Sequence, residues 1–131
     1  MVEDEIKKGH DMAKGREKHQ AYQDALNLLG KELARRAGRR CELSEVPGTL
    51  VIHDLEGPKV APDMDLVLLV SPMMKESLDG GPIDETAVRC LENAVWSPLP
   101  VVRRAAVSLL ERIDAPWALD ALDNARTMDT D

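Results

Sequence analysis

The chain has no phenylalanine, one tyrosine and two tryptophans among its 131 residues. A hydrophobic core must therefore be built from leucine, valine, alanine and methionine, and such a core is marginal in a small domain unless it packs well. No apolar run approaches the roughly 20 residues of a transmembrane helix, and the charged residues 1–11 do not resemble a signal peptide. With two cysteines and no secretion signal, we expect reduced thiols, a cytoplasmic location and no membrane partner.

The net charge of −7 is unevenly distributed along the chain. Residues 12–40 carry eight basic and three acidic side chains, a net charge of +5, whereas residues 41–131 carry seven basic and 17 acidic side chains, a net charge of −10. The whole protein is therefore expected to repel nucleic acid, although its first helix need not.

The clearest predicted helix covers residues 16–37. Its apolar stripe has the 3.6-residue period of a helix and comprises Tyr22, Leu26, Leu29 and Leu33. Gly38 follows as a helix stop signal. Residues 1–11 share no pattern with this helix, so we interpret them as a disordered leader and residues 12–131 as a single domain.

Two short β-rich runs, 49–53 and 65–70, are bounded by glycine and proline and predict an antiparallel pair of strands. Helical patterns follow the second strand, with proline near the start of most of them. The predicted helices cover residues 73–79, residues 84–96, a segment from Pro100, and a segment from Pro116 to about residue 126.

Four positions around this pair of strands, Cys41, Ser44, Ser71 and Met74, have the spacing of two zinc knuckles. Serine and methionine bind zinc poorly, so Cys41 alone cannot hold the ion. One interpretation is a lost metal site, with His53 as an additional ligand. The other is that Cys41 and Met74 pack in the core while the two serines bond to backbone. We expect no metal and no other cofactor.

Several segments resemble the zinc-ribbon part of PhnA-type proteins: 13–20 (AKGREKHQ), 26–37 (LNLLGKELARRA), 41–43 (CEL), 89–92 (RCLE) and 94–98 (AVWSP). In that family each knuckle is Cys-x-x-Cys, which would place cysteines at the four positions above. The family name reflects an association with phosphonate genes and implies no chemistry on a carbon–phosphorus bond. The chain has no room for the SH3-like domain of longer members. The resemblance implies a degenerate module without zinc.

Together these patterns predict an α+β fold: a long N-terminal helix, a treble-clef or zinc-ribbon-like β-hairpin without its metal, and a C-terminal helical group. A structural zinc ion contributes on the order of 10 kcal/mol to a small finger. We therefore expect the C-terminal helices, packed on the first helix and the hairpin, to replace that stabilisation.

The same layout also resembles the HNH nuclease frame, in which a knuckle is followed by a strand that ends near a catalytic histidine. His53 lies at that position and is the alternative catalytic base, because a histidine can take a proton from water near neutral pH. Ile52 and Lys75 lie where metal-binding partners would be expected, so we predict no catalytic activity.

A basic cluster near the end of the first helix is the candidate contact surface: Lys31, Arg35, Arg36, Arg39 and Arg40. Such a face can bind phosphates without regard to sequence. No aromatic residues are interleaved with these cations for base stacking, and the acidic remainder of the chain opposes nucleic acid. We therefore predict a non-catalytic module whose partner is a protein, and keep a nucleic-acid-binding or vestigial nuclease domain as the alternative.

Overall fold

The computed structural model describes residues 2–57 and 62–129, with side chains for residues 17–57 and 62–127. Within these ranges the fold is α+β, as the sequence predicts. In chain order the elements are α1 (Val2–Ala37), β1 (Val51–Asp54), β2 (Val67–Val70), α2 (Pro72–Leu78), a 3₁₀ turn (Ala87–Cys90), α3 (Leu91–Ala94), α4 (Pro100–Leu110) and α5 (Pro116–Asp129). None of the described helices is both long and apolar enough to cross a membrane.

Helix α1 is 36 residues long, which corresponds to about 54 Å. Its backbone continues through residues 2–11, which the sequence analysis interpreted as a disordered leader; the division of the chain at residue 12 stays a prediction. The helix ends where predicted, because Gly38 adopts a φ of 64° and Arg39 a φ of 62°. The amide of Arg39 then donates to the carbonyl of Ala34 at 3.0 Å, which satisfies one of the last helical carbonyls.

Strands β1 and β2 pair antiparallel, as predicted, with Val51 opposite Val70 and Asp54 opposite Val67. Because side chains alternate across a strand, each face of this hairpin meets a different layer. Val67 and Leu69 belong to one hydrophobic cluster with residues of α1. Leu68 and Val70 belong to a larger cluster with the C-terminal helices. The hairpin is thus a two-stranded sheet between α1 and the remaining helices.

Helix α1 contacts the hairpin at both ends of the apolar stripe of the helix. Near the start of the contact, the hydroxyl of Tyr22 donates to the carboxylate of Asp54 at 2.9 Å. Burial, this hydrogen bond and the charge of Asp54 raise the pKa of Tyr22 to about 12, so the phenol stays protonated. Leu33, fully buried, packs at the other end.

The C-terminal layer holds the main core. Helix α4 buries a broad apolar face against α5 and the hairpin: Val101, Val102, Ala105, Ala106, Leu109 and Leu110. The prediction of one helix over residues 84–96 is wrong, because that region is a 3₁₀ turn followed by the short α3. The carboxylate of Asp84 accepts from the amides of Thr86 and Ala87 and opens this region as a turn.

Candidate functional site

The first pair of predicted ligand positions lies in a tight turn between α1 and the hairpin. The amide of Ser44 donates to the Sγ atom of Cys41 at 3.4 Å, and the amide of Glu45 donates to the carbonyl of Cys41 at 2.7 Å. Glu45 has a φ of 63°, a left-handed conformation that is unusual for a residue with a long side chain. The turn therefore bends sharply around the thiol of Cys41, which is 1% exposed.

The second pair lies at the start of α2. Ser71 is the N-cap residue of this helix, and its hydroxyl accepts from the amide of Met74 at 3.3 Å. Met74 is fully buried in the main core, where Cys41 also lies. Both pairs thus share one local arrangement, in which the amide of the fourth residue donates to the side chain of the first.

These contacts give each of the four positions a structural role. Ser71 caps a helix, the hydroxyl of Ser44 accepts from the amide of Val46, and the two sulfur-containing side chains fill the core. Among the described residues, no group of three or more histidine, cysteine, aspartate or glutamate side chains is arranged to hold a metal ion. The donor set of one thiol, two hydroxyls and a thioether does not suit zinc.

The second thiol, Cys90, packs against the main core near Cys41. Burial raises the pKa of Cys90 to about 11, and the neighbouring Cys41 and Glu45 add to this increase. A thiol with such a pKa is almost entirely protonated at neutral pH, whereas nucleophilic and metal-binding cysteines act as thiolates. Cys90 therefore offers no reactive nucleophile.

His53 lies on β1 and faces α2, with only 7% of its surface exposed. Its Nδ1 atom is 3.3 Å from Nζ of Lys75 and 3.4 Å from Oδ1 of Asp79. Lys75 also donates to both carboxylate oxygens of Asp79, at 3.1 and 2.9 Å. The imidazole, the ammonium and the carboxylate are therefore mutual neighbours, and Nδ1 of His53 accepts from Lys75 or donates to Asp79 according to its tautomer.

This environment lowers the pKa of His53. Burial is the largest cause and the charge of Lys75 the second, while the carboxylates of Asp79 and Asp54 partly oppose them. The imidazole is therefore neutral at pH 7, as a general base must be, yet it is buried and already bonded to a cation. Access of a water molecule and a phosphodiester to Nδ1 would require Lys75 to move.

We expect the free energy of unfolding to decrease as the pH falls below about 6.5, the ordinary pKa of histidine. Below this pH the imidazole of His53 binds a proton in the unfolded state more readily than in the folded state, because folding lowers its pKa. The free energy of unfolding therefore rises with pH across this range. Urea unfolding between pH 5 and 8 measures the effect. His53→Gln is expected to flatten the profile, whereas His19→Gln, at an exposed position on α1, should leave it unchanged. Parallel profiles for the parent and His53→Gln would contradict this assignment.

The predicted basic cluster is divided by the structure. Arg36 does not face solvent as a contact residue. Its guanidinium forms a bidentate ion pair with Glu42, at 2.9 and 2.8 Å, and also donates to the carbonyls of Met64 and Val67 at 2.8 Å. Glu42 in turn accepts from the amide of Leu69 at 2.8 Å. Arg36 therefore joins α1 to the hairpin, and its guanidinium is engaged by a buried carboxylate within the fold, unlike the rest of the predicted contact cluster.

The other four members of the cluster, Lys31, Arg35, Arg39 and Arg40, are exposed. The helix ends before Arg39, which lies in the left-handed turn that follows it. Arg40 forms an isolated β-bridge with Pro47. None of the four has an ion pair or a side-chain hydrogen bond with a described residue.

Cations in the C-terminal part of the described chain behave differently, because they are engaged within the molecule. Four form ion pairs: Lys75 with Asp79, Arg89 with Glu92, Arg104 with Glu56, and Arg126 with Asp123. Arg103 and Arg112 donate to backbone carbonyls instead. The basic end of α1 is thus a local exception in an acidic protein.

A groove with a volume of about 700 Å³ runs between α1, β1 and α2. Leu26, Ile52 and Leu69 contribute apolar surface to it. The carboxylates at its edge are already bonded, Asp54 to Tyr22 and Asp79 to Lys75. The groove therefore brings together no nucleophile, base and acid that could act on a substrate.

No protein-family model, no curated protein and no solved structure matches the chain. The resemblance to PhnA-type proteins therefore stays a prediction.

Proposed function

We propose that the protein is a non-catalytic, PhnA-like interaction module of the cytoplasm that docks an acidic surface of another protein. The docking surface is the basic end of α1, defined as Lys31, Arg35, Arg39 and Arg40. The observation that carries the proposal is that these four exposed cations have no described carboxylate partner, although the chain has a net charge of −7. Their charge is available to a partner rather than to the fold.

The chemistry of the remaining positions supports a non-catalytic role. The only buried histidine among the described residues is held by the ammonium of Lys75, and the ligand positions of the knuckles pack in the core or cap the backbone. Hydrolysis of a phosphodiester by such a frame would need a metal ion to stabilise the developing charge. The described side chains provide no matching ligand set.

Nucleic acid is the second candidate, since exposed arginines also suit phosphate oxygens. Two features favour a protein partner. The sequence places a net charge of −10 on residues 41–131, within a few Debye lengths of the basic end, each about 8 Å at physiological salt. Tyr22 is buried and the guanidinium of Arg89 lies over the ring of Trp117, so neither ring is available to these cations for base stacking.

The test compares Arg35→Glu/Arg39→Glu with Arg104→Glu/Arg126→Glu, which makes the same change in net charge elsewhere on the surface. We expect a pull-down from nuclease-treated extract of the native host to retain a protein on the parent and on the control variant. The Arg35→Glu/Arg39→Glu variant should lose it, because its docking charge is reversed.

The nucleic-acid alternative is measured by fluorescence titration of duplex and single-stranded DNA at two salt concentrations. We expect dissociation constants weaker than micromolar at about 0.15 M salt. Micromolar or tighter DNA binding that disappears in Arg35→Glu/Arg39→Glu would replace the proposal with the nucleic-acid function.

A further inference from the structure

The outward face of α1 carries an apolar side chain beside the docking cations. Leu28 is 80% exposed, more than any other large apolar side chain described; the others that are exposed are Val46, Leu119, Trp96 and Met73. Lys31 and Arg35 follow Leu28 at three and seven residues, so the three side chains share one helical face. This face lies opposite the stripe that packs on the hairpin.

We propose that Leu28 is the apolar anchor of the docking surface and that the partner segment is an acidic amphipathic helix. The inference rests on the proposed function and specifies the partner at the same site. A helix that presents leucine or a similar side chain toward Leu28 would place its carboxylates over Lys31 and Arg35. Binding would then remove an exposed apolar side chain from water and neutralise two unpaired cations together.

Charge complementarity argues for this occupant and against two others. A phosphate backbone would neutralise Lys31 and Arg35 but offers no apolar group to cover Leu28. A second copy packed through the same face would bring two segments of net charge +5 together. Asp24, which accepts from Gln20 at 2.9 Å, lies one turn before Leu28. Its negative charge repels the carboxylates of an acidic partner, which therefore binds toward the C-terminal half of α1.

The small side chains beside Leu28 allow a partner helix to approach closely. Ala21 and Ala25 precede Leu28 by seven and three residues, and Ala21 is exposed. Neither side chain extends far enough to hold a neighbouring backbone away. The face therefore combines one large apolar side chain, two small side chains on its N-terminal side and basic side chains on its C-terminal side.

The experiment uses two synthetic peptides, each about 18 residues long and of equal negative charge. One is an amphipathic helix with glutamates on one face and leucines on the other; its counterpart has alanine in place of each leucine. Affinities for the full chain are measured by fluorescence anisotropy at about 0.15 M salt. The variants are Leu28→Gln, the matched control Leu119→Gln on α5, and Arg35→Glu/Arg39→Glu.

We expect Leu28→Gln to weaken binding of the leucine peptide about tenfold, as loss of a central anchor does, and Leu119→Gln to bind it as the parent does. The alanine peptide should bind weakly and equally to the parent and to Leu28→Gln. If Leu28→Gln keeps the parent affinity while Arg35→Glu/Arg39→Glu loses it, the anchor is disproved and the proposed function stands. If the parent binds neither peptide, an acidic amphipathic helix is not the occupant and the inference is overturned, whereas the proposed function is judged by the pull-down. A parent dimer that Leu28→Gln dissociates would identify a second copy as the occupant and overturn the inference.

Discussion

The variant Ser44→Cys/Ser71→Cys/Met74→Cys is expected to purify with about one zinc ion per chain, whereas the parent is expected to contain none. Together with Cys41, the variant supplies four thiolates, which is a complete structural zinc set. The backbone already bends as such a site requires, because the amide of the fourth residue in each pair donates to the side chain of the first. Cys41 and Met74 both point into one core.

Zinc binding should also change how the protein unfolds. A structural zinc ion contributes on the order of 10 kcal/mol, and this contribution is lost when a chelator removes the metal. We therefore expect EDTA to lower the melting temperature of the triple variant by many degrees and to leave that of the parent unchanged. Elemental analysis and thermal unfolding measured by circular dichroism provide the two readouts.

The matched control is the same triple variant with Cys41→Ser, which keeps three of the four cysteines at the ligand positions and removes the fourth ligand. It should bind zinc far more weakly. A folded triple variant without zinc would show that the four positions do not converge on one point. Stoichiometric zinc in the parent would instead show that the native side chains hold a metal after all, and would restore the zinc-ribbon interpretation.

Arg36→Met is expected to destabilise the protein by about 3–5 kcal/mol, because it leaves the carboxylate of Glu42 buried without its partner. The side chain of Glu42 is 3% exposed and that of Arg36 is 17% exposed, so solvent compensates little of the loss. Methionine keeps most of the length of the side chain while removing its charge. Chemical denaturation at pH 7 measures the difference in free energy of unfolding.

Arg35→Met is the matched control, since this neighbouring residue is exposed and has no ion pair among the described residues. Its effect should lie within about 0.5 kcal/mol. Adding Glu42→Gln to Arg36→Met should recover part of the lost stability, because the unpaired charge is then removed. Equal, small effects of Arg36→Met and Arg35→Met would mean that the pair does not fasten α1 to the hairpin.

The sequence predicted the fold class and the pairing of the strands, since both depend on local patterns of apolar residues, glycine and proline. It also predicted the end of α1, because Gly38 suits the left-handed turn that closes the helix. It did not distinguish Arg35 from Arg36. Two adjacent arginines have the same local chemistry, and only the approach of Glu42 and the hairpin separates an exposed cation from a half-buried, ion-paired one.

The region around α3 was misjudged for a similar reason. Ala87, Leu91 and Val95 have the four-residue spacing of an α-helix, and the prediction of one helix over residues 84–96 rests on it. In the structure Leu91 and Val95 are buried as this spacing requires, but Val88 rather than Ala87 is the buried residue of the preceding turn. That turn is 3₁₀, with a repeat of three residues, and the α-helix begins only at Leu91.

Residue types alone predicted part of the candidate site but not the contacts between its residues. The weak ligands at three knuckle positions were apparent from the sequence, as was the absence of a partner for His53. The role of Lys75 required the structure, because its ammonium reaches the imidazole from a helix 22 residues further along the chain. The exposure of Leu28 was hidden as well, since it lies within a run of leucines that otherwise face the hairpin.

The position of the hairpin between two separate hydrophobic clusters has a consequence for how the molecule opens. Among residues 17–57 and 62–127, the cluster on the α1 side has five buried members, whereas the cluster on the other side has twenty. The free energy needed to open an element locally increases with the number of buried apolar contacts that the opening breaks. Helix α1 is therefore the lower-energy cooperative unit, and it can lift from the sheet while the C-terminal helices keep their packing. Such an opening would expose the inner face of the hairpin and make proteolysis or hydrogen exchange begin at the helix that carries the docking surface.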